Sequence, residues 1–374
     1  MNFLFVCGGT AGHINPAIAV AGELRRIMPD AKILFVGAGR DMENRLIPNA
    51  GYELKNIKMS GLKRGFSPDK LAYNVKTVKN LATAGGEAEK ILTAFQPDAV
   101  IGMGGYICYP VLKRAARMGM PTLIHEANAV PGLTTKLLSA IVDKTLVSFP
   151  GLENLYRRPE RVVFTGTPIR GGFAGAPSKS AEHQEGKPLV VSFWGSLGAE
   201  RMNEAMAEFI KLNADGGRFN HIHATGGSGG RGIREMQNRL KVLGVPDRLP
   251  QGIDIREYID DMPSVMAAAS LVLCRAGAST IAELTAMGKP AVLVPSPYVT
   301  NNHQEENAKQ LQKAGGAEML LEKDCTGEKL YDTVSQILDD TEKLSLMSEA
   351  QKTLSAPDAT KKIVELIIAV CESF

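Results

Sequence analysis

The segment spanning residues 271–295 constrains the fold more than any other part of the sequence. It begins with the apolar run Leu271–Cys274 and ends with a second apolar run at residues 291–294, as expected of strands that are buried on both faces. Between these runs, small residues form a turn and residues 279–287 have helical spacing, which a glycine and a proline terminate. The segment therefore predicts a β-α-β unit, whose two strands should lie parallel in one sheet.

The turn of this unit, residues 275–279, suits an anionic ligand. Small residues let a ligand approach the backbone, and the first N–H groups of a helix have no intrahelical acceptors. Because a helix N-terminus carries about half a positive charge, it attracts an anion such as phosphate. Glu283, one turn further along the helix, could accept hydrogen bonds from two ribose hydroxyls. Many doubly wound proteins contain such turns, so on this segment alone a solvated helix residue is the favoured interpretation of Glu283.

Strand and helix signals alternate along the remainder of the chain. Short apolar runs predict further strands, at residues 3–7, 33–36, 99–101, 122–124, 142–148, 162–165, 189–194, 221–225 and 253–258. Helical spacing predicts further helices, at residues 16–28, 111–117, 200–212 and 356–374. Because strands and helices alternate, the predicted fold class is α/β with a mostly parallel sheet.

The two halves of the chain resemble each other. Each begins with strand, glycine turn and helix, and each later contains the motif Met-Gly-X-Pro before a strand, at residues 118–121 and 287–290. We predict two doubly wound domains, residues 1–168 and 169–355, with a helical tail at 356–374 that packs back on the first domain. Ligands of such sheets bind beyond the carboxyl ends of the strands, so the domains should face each other across a cleft.

The composition excludes several classes of protein. At 374 residues the chain is long enough for two or three domains, and its 44% hydrophobic content can build their cores. A net charge of +3, without an aromatic and basic RNA-binding motif, argues against nucleic acid as a partner. Five widely spaced cysteines, mostly within apolar runs, indicate reduced thiols in the cytoplasm. We expect neither a signal peptide nor a run of about 20 apolar residues that could span a bilayer.

Two sequence features bear on cofactors and metals. The turn at residues 8–12 lacks the full G-x-G-x-x-G spacing of a dinucleotide site, and the second strand is not followed by the acid that binds ribose. Arg40 after that strand would suit the phosphate of NADP, so a dinucleotide fold stays open as an alternative. The sequence has no Asp-X-Asp triplet to hold a metal beside a diphosphate, and we interpret Asp260 and Asp261 as helix caps. We predict neither a cofactor nor a metal ion.

If a diphosphate leaves in this site without a metal, helix N-termini and side chains must stabilise it. Ser196 and Arg170, each next to a turn or a domain junction, are placed to help, although Arg170 taken alone is an ordinary exposed arginine. His13 ends the first glycine turn, and its imidazole can accept a proton near neutral pH, which suits a general base acting on a sugar hydroxyl. A histidine that caps the turn or the helix is equally consistent with this position. For His125, which follows a strand, structural packing is the favoured interpretation.

Residues 55–79 carry seven positive side chains and one acid, interleaved with apolar residues. Anionic lipid attracts such a segment by about 1 kcal/mol for each basic residue near the surface. From this segment alone, a solvated basic face over an ordinary core helix is the favoured interpretation. The alternative is a membrane-binding surface, which would include Lys63, Arg64, Phe66, Lys76 and Lys79.

A set of motifs, in order along nearly the whole chain, resembles the MurG family, which is glycosyltransferase family 28. Residues 8–16, GGTAGHINP, are similar to the first glycine loop of that family, and residues 102–106, GMGGY, to the second. Further similarity is found in HEAN at 125–128, TGTPIR at 165–170, GSLGA at 195–199, YIDDM at 258–262, and the segments 275–283 and 304–308. One glycine loop has little specificity, whereas the ordered set is specific.

The resemblance implies the GT-B architecture of two Rossmann-like domains. It implies transfer of GlcNAc from UDP-GlcNAc to O4 of MurNAc in undecaprenyl-diphosphate-MurNAc-pentapeptide, with inversion and without a metal. Carried over by position, Ile259 would contact the uracil, Glu283 the ribose and Gln304 the GlcNAc hydroxyls. The residues that would meet the phosphates are Ala278, Ser279 and Thr280, with Ser196 and Arg170 nearby. The reaction centre would be faced by Thr10, Ala11, Gly12, Asn128 and His13, the proposed base, and the acceptor loop would be Gly104, Gly105 and Tyr106.

The resemblance also implies a location and partners. The protein would be peripheral, on the cytoplasmic face of the cell membrane, where it would meet an anionic surface, the undecaprenyl-linked acceptor and other proteins of cell-wall synthesis. Cell shape and cell division would depend on its activity. Two alternatives stay open. One is another GT-B enzyme, such as a UDP-GlcNAc 2-epimerase or a different glycolipid transferase, and the other is a non-catalytic subunit that binds a nucleotide sugar.

Overall fold

The computed structural model describes residues 1–59, 83–169, 172–173, 186–227 and 229–374. The chain divides into two compact units, one formed by Met1–Arg170 with Ala356–Phe374 and the other by Gly171–Ser355. Each unit is built on one parallel sheet whose strands are connected through helices. The predicted α/β class with two Rossmann-like domains is confirmed.

The sheet of the first unit has seven strands, which are all parallel. They are β1 Asn2–Val6, β2 Lys32–Gly37, β3 Glu53–Asn56, β4 Ala99–Gly102, β5 Thr122–Glu126, β6 Lys144–Val147 and β7 Val162–Phe164. Their order in the sheet is β3-β2-β1-β4-β5-β6-β7. The chain reverses its direction of travel across the sheet between β1 and β4, so the loops that follow these two strands meet at the carboxyl edge.

Helices cover the sheet of the first unit because its central strands are apolar on both faces. They are Ala11–Ile27, Asp41–Asn49, a helical segment at residues 83–95, Cys108–Arg117, Leu133–Leu138 and Ala359–Glu372, with 3-10 turns at Glu153–Leu155 and Pro159–Arg161. The C-terminal helix buries Ile363 and Ile367 in the same core as Phe3 and Phe5 of β1. The tail is thereby part of the first unit.

The sheet of the second unit has six strands, also parallel. They are β8 Leu189–Phe193, β9 Asn220–Ala224, β10 Ile253–Arg256, β11 Leu271–Cys274, β12 Ala291–Leu293 and β13 Ala317–Met319. Their order is β10-β9-β8-β11-β12-β13, so the reversal lies between β8 and β11. The pairing of β11 with β12 is the parallel pair that the sequence of residues 271–295 predicts.

Helices and short turns connect the strands of the second unit. They are Glu200–Gly216, Arg231–Val242, Met262–Ala268, Ala278–Met287, His303–Ala314, Gly327–Asp339 and Thr341–Thr353, with 3-10 turns at Thr300–Asn302 and Glu322–Asp324. Phe209 and Ile210 of the first of these helices lie in the core with Leu271 and Leu273 of β11. Helix Glu200–Gly216 and β11 therefore share one apolar layer at the reversal of the sheet.

Some elements differ from the sequence prediction. Helix Asp41–Asn49 buries only Glu43 and Ile47, so apolar periodicity gives little sign of it. The first helix begins at Ala11 instead of Pro16, which places His13 in its first turn. Asp261 is the N-cap residue of helix Met262–Ala268, but within the described chain its carboxylate lies 3.6 Å from Arg256 Nη1 and makes no capping hydrogen bond. The predicted capping role of Asp261 is wrong.

Candidate functional site

The first two glycine loops meet at the reversal of the first sheet. Gly8, after β1, donates a backbone hydrogen bond to the carbonyl of Gly104, after β4, at 3.2 Å. A Cβ on Gly105 would lie 2.6 Å from the Gly8 oxygen, and Gly105 has a φ of 92°. Only glycine permits this backbone approach together with a positive φ. The two loops are therefore one continuous surface of main-chain groups.

His13 lies on this surface. Its Nδ1 is 2.8 Å from the carbonyl oxygen of Gly8, and a Cβ on Gly104 would lie only 2.3 Å from its Cδ2. A carbonyl can only accept a hydrogen bond, so Nδ1 carries the proton of the neutral ring and Nε2 keeps a lone pair. The ring is partly exposed. His13 thus anchors the loop through one nitrogen and has the other available as a base.

The residues around His13 begin the first helix. Thr10 is its N-cap residue and is exposed, while Ala11 and Gly12 are partly exposed in its first turn. The Thr10 hydroxyl lies 3.4 Å from Nδ1 of His13. First-turn amides at this position can receive an anion or a polar substrate group. Thr10, Ala11, Gly12 and His13 therefore lie side by side at the start of this helix, and their role at the reaction centre stays a prediction.

Arg40 contacts Tyr106 in the second glycine loop. Its Nη2 donates to the Tyr106 hydroxyl at 2.5 Å, and its guanidinium carbon lies 5.3 Å from the centre of the Tyr106 ring. Arg40 was the residue that left an NADP site open as an alternative. Its partner in the structure is the aromatic side chain of the loop that contains Gly104 and Gly105.

A buried carboxylate, which the sequence analysis did not single out, positions Asn128. Glu126 at the end of β5 is 6% exposed, and its Oε1 accepts from both the backbone N and the Nδ2 of Asn128 at 3.2 Å. Its other oxygen accepts from Gly132 N at 3.0 Å. The side chain of Asn128 is therefore oriented by hydrogen bonds to Glu126. Amino-acid type gave no signal for this role, because two of the three donors to Glu126 are main-chain N–H groups.

His125 serves packing, as the sequence analysis favours. It is buried, and its Nε2 lies 2.9 Å from the carbonyl of Gly166 and 3.3 Å from the Ser148 hydroxyl. Thr167 extends this network by donating to Ser148 at 2.6 Å. Burial lowers the pKa of His125, because the charged ring would lose its hydration. The network ties β5 to the segment that follows β7.

In the second unit, the turn after β11 presents a helix N-terminus. The N-cap residue of helix Ala278–Met287 is Gly277, which has no side chain to accept a hydrogen bond from the first helical amides. Ala278, Ser279 and Thr280 are partly exposed. The turn is fixed by the buried Asn307, whose Nδ2 donates to the carbonyl of Ala276 at 3.1 Å. The start of this helix is thus held in place with its amides available to an anion.

Arg275 fixes the other side of the same turn. Its Nη1 donates to the carbonyl of Val294 at 3.1 Å, and its Nη2 forms an ion pair with Glu322 at 2.6 Å. The guanidinium carbon also lies 5.9 Å from the ring centre of Trp194. Both charged side chains are nearly buried. Arg275 therefore acts inside the protein, between β11 and β12.

Ser196 lies in the loop after β8, the neighbour of β11. It is exposed, and its carbonyl accepts a hydrogen bond from Gly227 N at 3.1 Å. A Cβ on Gly226 would lie 2.2 Å from the nitrogen of Gly198, so the two glycine loops interlock. The sequence analysis missed the second of these loops. The signal was present, because glycines occupy positions 226, 227, 229, 230 and 232 directly after β9.

The remaining predicted donor residues differ in exposure. Glu283 is partly exposed on the helix that begins at Ala278. Gln304 is also partly exposed, and its Oε1 accepts from Ser296 N at 2.9 Å, which leaves its amide nitrogen as the donor. Ile259 is only 2% exposed. A contact of Ile259 with a uracil ring stays a prediction, as do the roles of Glu283 and Gln304.

Some predicted residues lie outside the part of the chain that the structure describes. They are Arg170, Lys63, Arg64, Phe66, Lys76 and Lys79. Within the described residues, no group of three or more His, Cys, Asp or Glu side chains is arranged to hold a metal ion. None of the described helices has the length and apolar character needed to cross a bilayer.

Two buried histidines of β9 lie beside a serine of β8. The Ser192 hydroxyl lies 2.8 Å from Nε2 of His221 and 2.8 Å from Nδ1 of His223, and all three residues are 0% exposed. The other ring nitrogens, Nδ1 of His221 and Nε2 of His223, have no hydrogen-bond partner among the described residues. Burial lowers the pKa of His223 to about 3 and that of His221 well below its usual value. Both rings are therefore neutral members of the core.

Comparison with known proteins settles the family. A model of the glycosyltransferase family 28 N-terminal domain matches residues 3–147, and a model of the family 28 C-terminal domain matches residues 189–363. The chain belongs to glycosyltransferase family 28. A relative from Acetivibrio thermocellus is 44% identical over 371 residues, which cover 98% of this chain and 97% of the relative. Its name is UDP-N-acetylglucosamine–N-acetylmuramyl-(pentapeptide) pyrophosphoryl-undecaprenol N-acetylglucosamine transferase.

Solved structures agree with the family 28 assignment. The crystal structure of Acinetobacter baumannii MurG superposes with a TM-score of 0.76 at 27% identity, covering 99% of this chain and 100% of that one. A UDP-GlcNAc 2-epimerase from Neisseria meningitidis, bound to UDP-GlcNAc, gives a TM-score of 0.63 at 14% identity, covering 99% of this chain and 100% of that one. At such low identity the epimerase shares the fold alone.

Proposed function

We propose that this chain transfers GlcNAc from UDP-GlcNAc to O4 of MurNAc in undecaprenyl-diphosphate-MurNAc-pentapeptide, with inversion, in peptidoglycan synthesis. The observation that carries the proposal is the relationship to the Acetivibrio thermocellus transferase, 44% identical along almost the full length of both chains. The geometry of each unit supports it. In the first unit, Nδ1 of His13 contacts the Gly8 carbonyl, so Nε2 keeps the lone pair of the neutral ring, and the second unit has a helix start that can receive a diphosphate.

The donor would be held by the second unit. The diphosphate of UDP rests on the amides of Ala278, Ser279 and Thr280, where the positive end of the helix dipole offsets its charge. The Ser196 hydroxyl and Arg170 add donors to the phosphates. As the bond between the sugar C1 and the phosphate oxygen breaks, these fixed dipoles stabilise the developing charge. The uracil, ribose and GlcNAc contacts belong to Ile259, Glu283 and Gln304.

The acceptor would be activated by the first unit. Its reactive hydroxyl lies near Thr10, Ala11, Gly12 and Asn128, with its sugar and lipid on the side of Gly104, Gly105 and Tyr106. Nε2 of His13 takes the proton of the O4 hydroxyl as that oxygen bonds to C1 of GlcNAc, and UDP leaves with the electron pair of the broken bond. Attack on the face opposite the departing UDP inverts the configuration at C1. His13 regains its neutral form by releasing the proton to solvent.

The protein would work as a peripheral protein at the cytoplasmic face of the cell membrane, where its acceptor is anchored. The basic segment at residues 55–79 supports this location, because its net positive charge favours anionic lipid. Lys63, Arg64, Lys76 and Lys79 supply the charge and Phe66 an apolar contact. Other proteins of cell-wall synthesis are the partners expected at that surface.

The test is UDP release from UDP-GlcNAc, measured with and without the lipid-linked acceptor. The transferase should release UDP only when acceptor is present and should retain its rate in EDTA. A 2-epimerase would consume UDP-GlcNAc without acceptor, and a non-catalytic binding subunit would bind UDP yet release none from the donor. Either of these outcomes would overturn the proposed reaction.

A further inference from the structure

Glu43 is a wholly buried acid in the first unit, and it lies on helix Asp41–Asn49 away from the predicted site residues in sequence. Its Oε1 accepts a hydrogen bond from Gly9 N at 2.9 Å. Its Oε2 accepts from Ala38 N at 2.7 Å and from Arg40 N at 3.2 Å. A buried carboxylate is costly unless such donors replace its hydration. In Glu43, three backbone N–H groups replace that hydration.

Two glycines make room for the carboxylate. A Cβ on Gly8 would lie 2.5 Å from Oε1 of Glu43, and a Cβ on Gly37 would lie 2.8 Å from Oε2. Both distances are shorter than any van der Waals contact, so a side chain at either position would displace the acid. Gly8, the first glycine of the first loop, therefore leaves the space that the Glu43 carboxylate occupies.

The connection to the reaction runs through one peptide group. The N–H of Gly9 and the carbonyl of Gly8 belong to the same planar peptide unit. Glu43 accepts from the N–H side of this unit at 2.9 Å, and Nδ1 of His13 donates to the carbonyl side at 2.8 Å. The carboxylate polarises the peptide, which makes the carbonyl a stronger acceptor for the histidine proton.

We propose that Glu43 is a positioning residue for His13, acting across the Gly8–Gly9 peptide to fix both the ring orientation and the tautomer that leaves Nε2 unprotonated. The arrangement does through an intervening peptide what a carboxylate does directly in a carboxylate–histidine pair. The inference rests on the proposed role of His13 as base. Glu43 itself touches neither substrate nor the reacting atoms.

Glu43→Gln tests the role. The amide nitrogen that replaces one oxygen cannot accept a hydrogen bond. Because Oε2 accepts two bonds and Oε1 only one, the nitrogen should take the place of Oε1, and the bond from Gly9 N is lost. We expect kcat to fall about tenfold to a hundredfold while the KM for UDP-GlcNAc stays within about twofold, because the donor is held elsewhere. The double variant with His13→Ala should turn over no more slowly than His13→Ala alone.

Asp143→Asn is the matched control. Asp143 is also a carboxylate of the first unit that accepts a backbone hydrogen bond, from Thr122 N at 2.9 Å, but it lies at the amino end of β6. This variant should lose stability and keep the wild-type kcat of its folded molecules. A Glu43→Gln enzyme that loses only stability, as the control does, would show that the acid is merely structural.

The outcomes separate the inference from the proposed function. A wild-type kcat in His13→Ala removes the base assignment and the inference with it. A slow His13→Ala enzyme beside a normal Glu43→Gln enzyme overturns the inference alone, and so does a double variant in which the two losses multiply. If Glu43→Gln does not fold, the inference is tested by the kcat of Glu43→Asp, which should also fall, and by hydrogen exchange of the wild-type protein. The Gly9 amide should exchange as slowly as that of Ala38, and rapid exchange of Gly9 would refute the link.

Discussion

Substitution of Gly104 should displace the His13 ring while leaving the histidine itself unchanged. Gly104 has a φ of 113°, and a Cβ there would lie 2.3 Å from Cδ2 of His13 and 2.8 Å from its Cγ and Nε2. Ordinary contact begins at 3.4 Å, so in Gly104→Ala the imidazole must retreat by about 1 Å or the loop must move. Either shift breaks the alignment between Nδ1 of His13 and the carbonyl of Gly8.

The expected loss follows from this displacement. Misplacing a catalytic group by about 1 Å can cost about a hundredfold in rate, so kcat of Gly104→Ala should fall by about that factor. The positive φ adds about 1–3 kcal/mol of backbone strain, which lowers the free energy of unfolding. The kinetic and the stability effects are separable, because kcat is measured on molecules that remain folded at the assay temperature.

The assay is UDP release at saturating donor and acceptor, with urea unfolding in parallel. Gly119→Ala is the matched control, because Gly119 has a φ of 72° but an added Cβ there meets no described atom within 4 Å. It should lose stability and keep kcat. The double variant Gly104→Ala with His13→Ala should be no slower than His13→Ala, since the clash disappears with the ring. A normal kcat in Gly104→Ala, or losses that multiply, would refute the reasoning.

Three further predictions concern other parts of the molecule. Glu283→Ala should raise the KM for UDP-GlcNAc about tenfold, the cost of a hydrogen bond to a charged group, and initial rates with an unchanged KM would remove its ribose role. The unfolded chain protonates His223 near pH 6.5 whereas the folded protein does so only near pH 3, so the free energy of unfolding should fall as pH drops between these values, by about 1.4 kcal/mol per pH unit. Urea titrations of a His223→Asn variant should show a shallower fall, and an equal slope would contradict the burial argument. Binding to anionic vesicles should weaken, in a salt-sensitive way, when four basic residues are neutralised together. These residues are Lys63, Arg64, Lys76 and Lys79. Salt-insensitive binding would point to another surface.

Much of the fold could be predicted from side-chain type. Strand β11 and helix Ala278–Met287 are marked by an apolar run and by helical spacing, because burial selects apolar side chains at fixed intervals. Helix Asp41–Asn49 could not be predicted in this way, since its two buried residues include the acid Glu43. The contacts of Glu43 are hydrogen bonds from main-chain N–H groups, and one of them, from Gly9, comes from 34 residues away in sequence.

The site divides along the same line. The glycine loops after β1, β4 and β8 could be placed because glycine itself is the signal, and parallel strands bring their carboxyl ends to one edge. The loop at residues 226–230 carried the same signal and was overlooked. The orientation of Asn128 by Glu126 and the anchoring of Ala276 by Asn307 had no comparable signal.

The sequence by itself determined two parallel sheets, their glycine turns and the residues that match glycosyltransferase family 28, because each of these depends on which side chain stands at which position. Only the tertiary structure decided that a buried acid on one helix and a histidine on another bind the same peptide group. Glu43 accepts a hydrogen bond from Gly9 N–H, and His13 donates one to Gly8 C=O. The physical reason is that the bonded groups belong to the main chain. Every residue carries a carbonyl and nearly every residue an N–H, so amino-acid identity does not reveal which of them a distant side chain will reach.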